Sequence, residues 1–173
     1  MELNQADQYY LKALDYYPND FEFVLENLQY ALSYDDEHVQ SLCLKGQIFM
    51  YYLKEYSEAR RCFQLALQAN MDYPDVYKHL SGLYIWLGEY DRAIKLIRYG
   101  KRVPGMNQLT LLRHEALIHE YQGDYKKARL ILQRGHLLAL SAACREAVKQ
   151  DVTRLKEKIK SLKQAQKKRR VQK

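Results

Sequence analysis

Glycine and proline are scarce in this chain, with 7 Gly and 3 Pro among 173 residues. So few breakers leave little material for the turns and bulges of an all-β protein, and they favour helices. Cysteine is scarce too. Cys43, Cys62 and Cys144 are odd in number and widely spaced, which argues against a disulfide framework or a zinc site and for a reducing compartment. All three are expected to be small core or half-buried residues. No apolar run approaches the length of a membrane span. The opening "MELNQADQYY" has neither a basic leader nor an apolar stretch behind it. No secretion signal is therefore expected, and the cytoplasm is the expected compartment.

Enzyme signatures are missing as well. "HEALIH", His114 to His119, superficially matches a zinc-protease helix, but that motif needs histidines four residues apart on one face. A separation of five turns them about 140° from each other. His38, His79 and His136 have no companion at ligand spacing, and there is neither a phosphate-cradling glycine loop nor a nucleophile elbow. Isolated carboxylates on amphipathic helices are solvated far more often than they are catalytic. The chain is expected to have no catalytic residue, cofactor or metal site.

What the sequence does contain is recurrence. "LKEYSEARRCF" (53–63), "LGEYDRAIKLI" (87–97) and "QGDYKKARLIL" (122–132) share one pattern. Tyr56, Tyr90 and Tyr125 stand 34 and then 35 residues apart. Three further columns keep that register: Ala59, Ala93 and Ala128; Phe63, Ile97 and Leu132; Ala66, Gly100 and Gly135. Before the middle copy, Tyr77, Leu80, Leu83, Tyr84 and Leu87 step by three and four, an apolar helical face. Gly88 permits the chain to leave that helix, and acids at Glu89 and Asp124 suit the start of the next. Each unit thus reads as two helices around a tight turn, with small residues where backbones must approach.

This pattern resembles the tetratricopeptide repeat, a helix–turn–helix unit of about 34 residues. The resemblance rests on "VYKHLSGLYIWLGEYDRAIKLIRYGKRVP" and "TLLRHEALIHEYQGDYKKARLILQRG". Departures are visible. Pro104 falls one residue early, Glu115 stands where leucine is usual, Lys54 replaces the turn glycine, and one extra residue precedes Tyr56. A divergent first unit has Phe21, Val24 and Ala31 in the repeating columns, with Pro18-Asn19-Asp20 as its turn. The resemblance implies an all-α, right-handed superhelical solenoid of four hairpins at about 5–38, 39–73, 74–108 and 109–142. Val148, Val152, Leu155, Ile159 and Leu162 then form a heptad seam. Two heptads fit a capping helix over 143–166, or else an intermolecular seam. A basic tail, 167–173, follows.

In this family the first helices line a concave groove that holds a peptide. Tyr17, Tyr52, Trp86 and Tyr121 precede the four turns at separations of 35, 34 and 35 residues. Tyr16 and Tyr51 accompany two of them, and Lys78 and Arg113 fall two turns earlier on a similar face. These eight residues are the candidate groove, suited to a protein segment with acidic and apolar residues; the competing reading packs the aromatic column between neighbouring hairpins. Tyr9 and Ala13 replace the lysine and asparagine of the family's carboxylate clamp, which speaks against that ligand.

Charge is polarised along the chain. Residues 1–40 carry nine acids and one lysine, net −8, whereas 149–173 carry eleven bases and two acids, net +9. Lys167, Lys168, Arg169 and Arg170 suit an acidic partner or, with lower expectation, nucleic acid, and in a eukaryote they resemble a nuclear-import signal. The leading expectation is a non-catalytic interaction module. The alternatives are a small escort chaperone for a client protein and an assembly subunit joined through its oppositely charged ends.

Overall fold

Long stretches of helix formers punctuated by short turns produce helices, and all regular structure among the described residues is helical. The computed structural model describes the backbone of residues 3–171 and the side chains of residues 3–165. In order these helices are α1 (Gln5–Tyr16), α2 (Phe21–Tyr34), α3 (Val39–Ile48), α4 (Tyr56–Ala69), α5 (Pro74–Trp86), α6 (Tyr90–Gly100), α7 (Gln108–Tyr121), α8 (Tyr125–Gly135) and α9 (Ala142–Val171). They fall into two compact units, Met1–Leu87 with Val103–Gly105, and Gly88–Arg102 with Met106–Lys173. No helix among the described residues is long and apolar enough to cross a membrane.

In the first unit α1 packs on α2 and α3 on α4, with α5 against α3 and α4. Asp20 starts α2 by accepting the Phe23 N–H at 3.0 Å, satisfying a donor that the helix leaves open. Ala13, Val24, Leu28, Leu44 and Ile48 form one core cluster. Ala59 and Ala66 of the small-residue columns are fully buried. Their neighbour Gly46 explains why size matters there. A Cβ on Gly46 would stand 2.7 Å from the Phe63 ring, and Phe63 is itself wholly enclosed. The two helices can approach this closely only without that carbon.

The irregular second turn has a specific solution. A π-helical turn, Phe49–Leu53, extends α3 and takes up the extra residue before Tyr56. Lys54 then adopts φ 60, in the left-handed region used by Gly88 at φ 74 and Gly123 at φ 80. Those three positions are equivalent in the repeat, so the missing glycine changes the residue and not the turn. A β-carbon in this region costs about 1–2 kcal/mol. Lys54→Gly is therefore expected to raise stability by about 0.5–1 kcal/mol, because relief of strain exceeds the added freedom of the unfolded chain. Gly88→Ala should lower it by about 1 kcal/mol. Urea unfolding of both variants checks the opposite signs.

In the second unit Asp124 accepts the Lys127 N–H at 3.1 Å and starts α8. Glu115, the polar intruder in an apolar column, is bound to Lys101. After α8 a 3₁₀ turn, His136–Leu138, breaks the helix, and Ser141 opens α9 by accepting the Cys144 N–H at 3.1 Å. The break keeps α8 and α9 separate helices. α9 caps the α7–α8 hairpin: Val148 and Leu155 are completely buried in a cluster with Leu109, Ala116, Ala128, Ile131 and Leu132. Val152 packs on that cluster, whereas Leu162 at the far end of the seam is exposed. The helix runs on to Val171 and not only to 166, because Lys, Gln, Ala and Arg sustain helix and nothing there breaks it. The side chains of Lys167, Lys168, Arg169 and Arg170 lie outside the described residues.

One expectation about the cysteines needs correcting. Cys43 and Cys62 are buried, and burial pushes their thiols up to about 12 and about 11, so neither is a reactive thiolate at neutral pH. Cys144 is exposed, since the first turn of α9 precedes the part that reaches the core.

Candidate functional site

An aromatic stands at the end of each first helix or in the turn that follows it (Tyr17, Tyr52, Trp86 and Tyr121), and the first residue of each second helix is aromatic. Phe21, Tyr56, Tyr90 and Tyr125 begin α2, α4, α6 and α8. Three of these four rings meet the pre-turn aromatic of the next repeat. Phe21 lies 4.3 Å from Tyr52, Tyr56 lies 6.4 Å from Trp86, and Tyr90 stacks on Tyr121 at 6.1 Å. The fourth, Tyr125, has no later repeat to receive; Lys158 of α9 stands 5.9 Å over its ring in that place. Tyr52, Trp86 and Tyr121 therefore each rest on the elbow of the hairpin before them. Reading the columns singly hides this pairing, although their spacing of 31, 30 and 31 residues is present in the sequence.

Resting on an elbow does not enclose the rings. Tyr52 is 44% exposed, Trp86 69% and Tyr121 61%, while Tyr17 is half-buried. For Tyr52, Trp86 and Tyr121 one side of the ring packs on the hairpin before and the remaining surface meets solvent. Tyr17 and Tyr52 also touch edge to face at 6.1 Å, with hydroxyls 3.3 Å apart. Burial, helped by that hydroxyl contact, raises the Tyr17 phenol to about 12, so it is neutral in the physiological range.

The accompanying residues divide. Tyr51 donates or accepts at His79 Nδ1, 2.9 Å away, and that imidazole lies parallel to the Phe63 ring, so its role is structural. Tyr16 points to a different place, with its ring 4.3 Å from Phe23, and does not join Tyr17 and Tyr52. Lys78 is exposed on α5. Arg113 is paired with Asp151 of α9: its Nε, at 3.1 Å, and a terminal nitrogen, at 3.0 Å, both reach one carboxylate oxygen, and the side chain stays half-exposed. This partner was invisible in the sequence because α9 follows no repeat.

Beside Arg113 lies a second charged contact. Glu120 is buried to 7% exposure and receives Arg154 and Lys158 from α9. Burial alone raises a carboxyl, yet the two cations outweigh it and hold Glu120 below the usual carboxylate range. A depressed folded value means that the stabilisation is present at neutral pH and fades as the pH falls through that value. Glu120→Gln is expected to cost about 1 kcal/mol at pH 7 and nothing in strong acid. Melting temperatures of both proteins measured from neutral to acid pH should converge. Among the described residues no group of three or more His, Cys, Asp or Glu side chains could hold a metal.

Comparison with known proteins agrees with this geometry. The Tetratricopeptide repeat family matches residues 51–103, spanning the end of the second unit and most of the third. The crystal structure of MamA superposes with a TM-score of 0.67 at 20% identity, covering 78% of each chain. The structure of PilW, described as a widely conserved type IV pilus biogenesis factor, superposes with a TM-score of 0.73 at 15% identity, covering 87% of this chain and 72% of that one. At such identities the likeness is one of fold. No curated protein matches the chain by sequence. The recurring elbow with left-handed turn positions and the small residues at the helix contacts agree with these matches: residues 51–103 match the tetratricopeptide repeat, and the helical hairpins share the fold of these solved structures.

Proposed function

We propose that this chain is a non-catalytic binding module whose partner, a segment of another protein, lies against the pre-turn aromatics. The observation that carries the reading is Trp86. An indole 69% exposed, steadied along one edge by Tyr56, offers a large rigid surface to a visitor with little ordering left to do. Tyr52 provides a similar surface in the same unit, and Tyr121 repeats the arrangement in the second unit, steadied by Tyr90. Aromatic anchors of this kind dominate binding energy at protein interfaces. Lys78 adds a positive charge, favouring a segment that combines apolar anchors with acids. Arg113 adds less charge, because Asp151 already offsets it.

Trp86 is the sole tryptophan, so the test needs no label. Partner proteins retained from native lysate by the wild-type chain are identified and purified. Adding one of them should then shift the indole emission to shorter wavelength. Trp86→Ala with Tyr121→Ala is expected to weaken that partner's binding about tenfold or more, with the far-UV helical signal unchanged. Equal binding by the double variant would refute the site.

A further inference from the structure

The first hairpin has a second aromatic surface, away from Tyr17 and Tyr52, that no helix covers among the described residues. Tyr16 and Tyr30 are each 47% exposed and Tyr34 is 60% exposed. They are gathered and not scattered: Tyr9 lies 5.3 Å from Tyr30 and stacks on Tyr34 at 5.6 Å, while Tyr16 lies against Phe23. Asp15 and Glu26 line the shallow concavity between these rings, together with Lys12. Lys12 already shows how this surface treats a cation, because its ammonium stands 4.7 Å over the Tyr9 ring. Gathered, exposed rings with a polar rim are the kind of surface that partners use.

Its complement is present at the other end of the same chain. The sequence "KQAQKKRRVQK" (163–173) closes a stretch with net charge +9, against −8 for residues 1–40. Just before it, Leu162 of α9 is exposed and offers an apolar foothold. We propose that the first hairpin of one copy receives the basic C-terminal end of a second copy. Lysine and arginine stems cover the rings, their charged heads meet ring faces and the Asp15 and Glu26 carboxylates, and the opposite net charges steer the approach. The two contact surfaces differ, so each copy keeps one end open and association extends with concentration.

Light scattering on the full chain at about 50 mM and about 500 mM salt tests this, since screening shortens the reach of surface charges between those conditions. The expected result is a mass above the monomer that grows with concentration at low salt and returns to the monomer at high salt. Two full-length charge reversals then locate the contact. Asp15→Lys with Glu26→Lys reverses the front; Lys167→Glu, Lys168→Glu, Arg169→Glu and Arg170→Glu together reverse the tail. Each alone should be monomeric, and a one-to-one mixture of the two should associate again. Tyr30→Ala with Tyr34→Ala should weaken association about tenfold. Asp15, Glu26, Tyr30 and Tyr34 are exposed, and the far-UV signal verifies that every variant folds. A monomer under every condition overturns the proposal, as does association that survives tail reversal. A mixture that stays monomeric overturns it too. So does dependence on a different basic surface, Lys95 and Arg98 of α6 with Arg102 just after it, in place of the tail.

Discussion

Phe63→Ala is expected to lower the unfolding free energy by about 3–5 kcal/mol, the largest loss from any single truncation in the first unit. Phe63 is the largest fully buried side chain among the described residues, and two neighbours pack directly on it. The Gly46 backbone approaches one edge of the ring, His79 lies parallel to its face at 5.9 Å, and the hydroxyl of Tyr51 steadies that imidazole. Removing the ring leaves a cavity that the close-packed helices α3 and α4 cannot collapse around without losing their own contacts. The contact also predicts a reversal of sign. Gly46→Ala alone should cost about 1–3 kcal/mol, because its Cβ falls inside the ring's van der Waals envelope. In the Phe63→Ala background the same methyl has space, so there it should be neutral or stabilising. A double-mutant cycle in urea measures this directly. If the two losses simply add, the proximity of Gly46 and Phe63 does not limit the helix separation.

The difference between Gly46 and Lys54 shows what could be read from the chain and what could not. Repeating columns are legible because each hairpin meets the same steric demands, so Ala59, Ala93 and Ala128 recur at one spacing and all three are fully enclosed. The elbow was legible for the same reason at Gly88 and Gly123. At Lys54 the demand persists without the glycine, and the extra residue is absorbed by a π-turn that no periodicity announces. The candidate site divides in a similar way. Tyr52, Trp86 and Tyr121 could be located from their period, and their partners Phe21, Tyr56 and Tyr90 from a second, offset period. The ion pair of Arg113 was not legible, because its partner, Asp151, lies 38 residues away on a helix outside the repeat. Tyr16 was grouped with Tyr17 by adjacency, although successive residues on a helix point about 100° apart.

Outside the repeats, packing decides what the sequence leaves open, and α9 is the decisive case. Leu155→Ala is expected to cost about 2–5 kcal/mol in the second unit, since Leu155 is wholly enclosed among side chains of the α7–α8 hairpin. The effect should be local. α9 is held by Val148, Val152 and Leu155 along one stripe and by the Asp151–Arg113 and Glu120–Arg154 contacts beside it. Ion pairs with one partner half-exposed add little by themselves, so the apolar stripe must carry the attachment. Losing its central leucine should leave the charged contacts unable to hold the helix against fraying. Amide hydrogen exchange distinguishes this from general loosening. Amides of residues 146–160 should exchange about tenfold or more faster in the variant, while those around Phe63 in α4 keep their protection. A reverse substitution at the same contact sharpens the test: Glu120→Gln, which weakens only the ion pairs, should change exchange in α9 by far less than Leu155→Ala. Were the two variants equal, charge and not burial would be the main fastening of the cap.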